Sequence, residues 1–75
     1  MSHDSLSAII QVREIRSYAP SWVAVLVGPG FPALEYRLTS GPYKRDRVFV
    51  SPVAAAEAAR RKWGRKTPVE IRPLG

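Results

Sequence analysis

The sequence predicts an α+β fold: a small antiparallel sheet of three to four strands, one helix packed on one face, and an extended N-terminal segment. Three observations predict it. Residues 22–27 form an apolar run far shorter than the roughly 20 residues of a membrane-spanning helix, and apolar on both faces as a central strand is. Residues 51–64 carry helix punctuation at both ends. The chain has 75 residues, and a chain of this size buries only about 60% of the surface it exposes when unfolded, so there is room for one sheet and one helix but no second domain.

Residues 1–19 make a distinct opening segment. A polar start, Met1 to Ser5, is followed by Leu6, Ile9, Ile10, Val12 and Ile15 and then by Tyr18, Ala19 and Pro20. The β-branched content favours an extended arm or edge strand, although Leu6, Ile9, Ile10 and Arg13 also share one side of a short helix. The strand at 22–27 places Trp22, Ala24 and Leu26 on one face and Val23, Val25 and Val27 on the other. Gly28, Pro29, Gly30, Phe31 and Pro32 read as a chain reversal. They lack the Lys and Ser/Thr of a phosphate loop and precede a strand pattern instead of a helix. At 34–38 the pattern alternates, Leu34, Tyr36 and Leu38 against Glu35 and Arg37, as in a strand covered on one side. Residues 39–46 read as a polar loop and 47–50 as a further short strand.

The helix is the best-signalled element. Ser51 is a good N-cap, Pro52 suits the first helical position, and Gly64 is a natural stop. Val53, Ala56, Ala59 or Arg60, and Trp63 recur at helical spacing, giving a face of mostly small residues that lets the helix lie close to a sheet. A last strand at 67–73 turns Val69 and Ile71 inward and Glu70 and Arg72 outward. The organisation is therefore an arm or edge strand at 1–19 and a single α+β domain at 20–75. One question remains. A single helix covers one face of the sheet, whereas the strand at 22–27 is apolar on both. Either the opening segment folds back across the second face and buries Ile9, Ile10 and Val12, or that face stays partly open as a partner site.

Composition narrows the function. There is no Cys, hence no disulfide, thiolate metal site or thiol nucleophile, which suits a reducing cytoplasm. The start has no basic n-region and no apolar stretch of signal-peptide type. The sole histidine, His3, lies close to the start, where termini fray. A serine nucleophile therefore has no good base, and the six carboxylates are scattered singly rather than paired. The expectation is a non-enzymatic protein without cofactor or metal. Twelve Lys and Arg against six Asp and Glu give a net charge of +6, favouring an anionic partner, either nucleic acid or an acidic protein face.

Arg60, Arg61, Lys62, Arg65 and Lys66 concentrate the positive charge at the end of the helix. A phosphate-contacting patch would look like this. So would helix stabilisation, because cations in the last turn compensate the macrodipole by about 0.3–1 kcal/mol each. Tyr43, Lys44 and Arg45 combine an aromatic with charge in a loop, suited to stacking on a base or docking on protein. Arg13 and Arg16 bracket Glu14 beside the apolar residues of the opening segment, a composition typical of protein-binding surfaces.

The order of elements also resembles a family. Trp22-Val-Ala-Val, then a second strand, an Ala-rich helix ending at Trp63, and Val69-Glu-Ile-Arg-Pro73 are similar to the small bacteriophage proteins that bind host bacterial RNA polymerase and inhibit transcription. The similarity spans roughly residues 21–73. The chain departs from the pattern in being basic where the best-known members present an acidic surface, and in having residues 1–19 without counterpart. The resemblance implies a polymerase-binding regulator in the bacterial cytoplasm that inhibits initiation, by hindering the sigma factor, or affects termination. The resemblance carries over no contact residue; the apolar and Arg composition of the opening segment makes Leu6, Ile9, Ile10, Val12, Arg13, Arg16 and Tyr18 the expected contacts, on a chain that is monomeric when free. The alternative is a small basic nucleic-acid-binding module using Lys44, Arg45, Arg60, Arg61, Arg65 and Lys66.

Overall fold

The computed structural model describes residues 8–30 and 33–75 of the chain. Leu6, His3 and the Phe31-Pro32 part of the expected reversal lie outside the described residues. The fold is α+β: a four-stranded mixed sheet, a two-stranded hairpin and one helix. The sheet is built from β1 (Ile9–Ile15), β2 (Ser21–Val27), β3 (Glu35–Arg37) and β6 (Val69–Arg72), in the order β3-β2-β1-β6. The hairpin pairs β4 (Thr39–Ser40) with β5 (Arg45–Asp46), and the helix α1 spans Pro52–Trp63.

Four features depart from the expected architecture, the first being that the span read as a polar loop at 39–46 forms the β4–β5 hairpin. The sheet is not wholly antiparallel, because β6 runs parallel to β1. Parallel strands need a crossover connection, and α1 with its flanking loops carries the chain from β3, at one edge, to β6, at the other. The opening segment, expected as an arm or edge strand, contributes an inner strand over Ile9–Ile15, paired with β2 on one side and β6 on the other. Over Ile10–Arg13 both edges of β1 are paired, which leaves no free strand edge there for a partner. The span expected as a short strand at 47–50 reduces to one bridge, with Phe49 and Trp22 exchanging backbone hydrogen bonds of 2.8 and 2.9 Å.

The core lies between the sheet and α1. In the register of β1 and β2, Ile10 faces Leu26 and Val12 faces Ala24, so these four side chains share the helix-side face. Ile10 and Val12 are 0% exposed, and they cluster with Trp22, Ala24, Leu38, Ala55 and Ala59. Leu26, Phe49, Trp63 and Val69 pack around them. The helix starts as its sequence requires, with Ser51 Oγ accepting from the Ala54 N–H at 3.1 Å, a cap worth about 1 kcal/mol. Its packed face includes the expected Ala56, Ala59 and Trp63 but takes Ala55 in place of Val53. Ala55 and Ala59 point to the sheet while Val53 is exposed, so close approach of the helix depends on alanines at i and i+4. On the flanking strands the expected inward residues are less covered: Leu34, Tyr36 and Ile71 remain exposed, and Leu38 alone of the 34–38 pattern is buried.

Candidate functional site

The residues singled out near the N-terminus divide three ways. Ile10 and Val12 are core residues whose side chains no partner can reach while the fold is intact. They are corrected from contact residues to core because strand alternation turns the even positions of β1 toward α1. Ile9 and Arg13 point to the opposite face and are half-buried there. Arg16 and Tyr18 sit in the connection from β1 to β2, and both are exposed. With Ile15 at the end of β1 they leave an apolar-plus-Arg tip at one end of the sheet.

Among the described residues, polar side chains lie across the second face of the sheet, and Ile9–Ile15 pairs within the sheet instead of folding back across it. Arg13 donates from Nε and Nη2 to Gln11 Oε1 at 2.9 and 2.6 Å, and its Nη2 also reaches Glu35 Oε2 at 3.0 Å. Gln11 Nε2 donates to Glu70 Oε1 at 3.0 Å, and Arg72 pairs with the same oxygen at 3.4 Å. The chain of contacts runs from β6 through β1 to β3 and so crosses β2. Beneath it Val23 is 8% and Val25 1% exposed. Long polar side chains can shield an apolar surface with their methylene stems while their charged heads stay in water. The Arg13 hydrogen bond, and then its charge, hold the Glu35 carboxyl below its ordinary value of 4.5. Gln11, Glu35 and Glu70 were not singled out from sequence. The only signal for them was the polar half of the strand alternation.

The basic residues fall into two separate groups. Lys44 closes the turn of the β4–β5 hairpin at φ 54°, and Arg45 opens β5 with its guanidinium 6.0 Å from the Tyr43 ring centroid. Tyr43 itself remains exposed. Arg60, Arg61, Arg65 and Lys66 are exposed at the far end of α1, together with Lys62. The loop after the helix is pinned at several points. The Gly64 N–H donates to Arg60 O at 2.8 Å, the Thr67 N–H to Gly64 O at 3.3 Å, and Thr67 Oγ1 to Trp63 O at 3.2 Å. Arg60 Nε donates to Thr67 O at 3.3 Å, and the Ile10 N–H to Pro68 O at 2.8 Å, which ties the loop to β1. Gly64 adopts φ 123°, a conformation that favours glycine. Beside this loop lies an open cleft of about 540 Å³ lined by Ala8, Leu26, Trp63, Gly64, Arg65, Lys66, Thr67 and Pro68.

Charge is distributed unevenly between these surfaces. Among the described residues the salt bridges are Arg13–Glu35, Arg37–Asp46 and Arg72–Glu70, all made by cations of the sheet. The five cations at and beyond the helix end take part in none of them. No three His, Cys, Asp or Glu side chains come together as a metal site among the described residues, and none of the helices there is long and apolar enough to cross a membrane. Comparison with family models, with curated proteins and with solved structures found no match to this chain.

Proposed function

We propose that the chain is a non-enzymatic regulator of the phage type that binds bacterial RNA polymerase in the bacterial cytoplasm and inhibits initiation. The observation that carries this reading is the joint placement of the three segments on which the resemblance rests. Trp22 on β2, Trp63 at the end of α1 and Val69 on β6 pack around one core, which supports reading them as one unit. Docking is assigned to the β1–β2 tip, where Tyr18 and Arg16 are exposed. Tyr and Arg are the residue types that most often anchor protein interfaces.

The test uses purified bacterial polymerase holoenzyme. The full chain is expected to co-elute with it in gel filtration after nuclease treatment and to reduce run-off transcription, and Arg16→Glu with Tyr18→Ala is expected to abolish both without lowering the melting temperature. Failure of the full chain to co-elute at micromolar concentrations overturns the reading.

A second reading, a small nucleic-acid-binding module, is favoured by a different observation: the cations at the helix end stay outside the ion pairs that neutralise those of the sheet. Phosphate contact there would make binding fall with salt in proportion to the number of phosphates held.

A further inference from the structure

We propose that the cleft beside the C-terminal end of α1 is a nucleotide subsite for single-stranded nucleic acid. One base rests against Trp63, and Arg65 and Lys66 hold the adjoining phosphates. The inference rests on the second reading above and gives it a ligand and a place.

The position of the charges is the first argument. Arg60, Arg61 and Lys62 occupy the last helical turn, where they compensate the macrodipole. That effect falls off within the last turn, and Arg65 and Lys66 lie beyond it. Helix stability therefore does not account for them. The chemistry of the cleft is the second argument. Leu26, Trp63, Pro68 and Ala8 supply apolar wall, one of them an indole, while Arg65 and Lys66 supply cations on the same rim. An aromatic face next to paired cations matches a base next to its phosphates. A duplex keeps its base faces inside the stack, so a single strand fits and a duplex does not. The cleft volume, about 540 Å³, falls within the roughly 300–1,000 Å³ typical of small-ligand pockets.

The loop is also organised before binding. Its backbone is held by Gly64 to Arg60 O, Thr67 to Gly64 O and Pro68 O to Ile10, while the Arg65 and Lys66 side chains remain exposed. A loop already ordered loses little further entropy when a ligand arrives. Trp63 is anchored on one side by the core and faces the cleft on the other.

The experiment follows fluorescein-labelled oligothymidylate by anisotropy and the tryptophan emission of the full chain in parallel. Trp22 is 9% exposed, so a change in emission on binding reports on Trp63. We expect the oligothymidylate to bind with quenched emission, and two phosphate contacts to give a log–log salt slope of about −1.4. Arg65→Glu with Lys66→Glu should weaken binding about tenfold or more. Trp63→Leu should weaken it about fivefold or more, and Trp63→Phe, which keeps a stacking face and most of the packing, should weaken it less. Binding without any change in emission, displaced equally well by inorganic polyphosphate, overturns the subsite and leaves a purely electrostatic nucleic-acid surface. Absence of binding to both oligothymidylate and duplex DNA overturns the subsite and the nucleic-acid reading together.

Discussion

Ile10 and Arg13 stand in the same seven-residue strand and meet different fates because side chains alternate across a sheet. Ile10 enters the core at 0% exposure, and Arg13 spreads over the opposite face. From the sequence, an apolar residue beside an arginine suggested a contact surface, since both types are common at interfaces. Alternation was legible, but which set faced the helix depended on the register with β2 and β6. Ile10→Ala tests the assignment. A buried Ile truncated to Ala leaves a cavity and costs about 2–5 kcal/mol, whereas Tyr18→Ala, at a fully exposed side chain, should stay within about 0.5 kcal/mol of the parent. Urea denaturation of both variants measures this, and equal small effects would mean that Ile10 is not in the core.

At the scale of elements, the sheet solves its second-face problem with side chains it already has. Val25 lies under a polar lattice from Gln11, Arg13 and Glu35, so no additional layer is needed there. The Arg13–Glu35 pair is half-exposed, and such pairs contribute little individually. It leaves a signature in pH. Because the folded Glu35 carboxyl titrates below its ordinary value, its contribution is full above that value and is lost as pH falls through the folded one. Glu35→Gln should therefore be less stable than the parent at about pH 6 and approach it at about pH 3. Urea midpoints across that range check this, and a pH-independent difference would rule out the pair as the cause. Helix α1 shows the converse case. Its cap and stop were readable because Ser51, Pro52 and Gly64 act locally, and helical spacing placed Ala56, Ala59 and Trp63 on the packed side, but the sheet selected Ala55 over Val53 to complete it.

For the whole molecule, the decisive fact is that β1 is an inner strand. Removing it would expose both β2 and β6 and empty the core of Ile10 and Val12. A chain beginning at Pro20 is therefore expected to lack a cooperative thermal transition and to show amide proton dispersion typical of an unfolded chain. A cooperative transition in that truncation would refute the strand order. Loss of polymerase binding on such a truncation would consequently report unfolding rather than loss of a contact, and the point substitutions at Arg16 and Tyr18 are the informative ones. Charge is organised at this scale as well. Carboxylates of the sheet and hairpin pair with Arg13, Arg37 and Arg72, and the basic residues outside those pairs lie at the end of α1 and in the loop after it, on the β4–β5 hairpin and its exit, and at Arg16.

Local signals along the chain were enough for the α+β class, the limits of the helix, the central strand at β2 and the final strand at β6. Those depend on periodicity, capping and turn chemistry, which act over a few residues. Tertiary pairing and packing set the direction of β6 relative to β1, the place of Ile10 and Val12 in the core, and the meeting of Leu26 with Trp63 in one cleft. Each of these joins residues through pairings or packing between elements. Ile10 lies beside Val69 because two strands far apart in the chain share a backbone ladder, and no local pattern encodes that register.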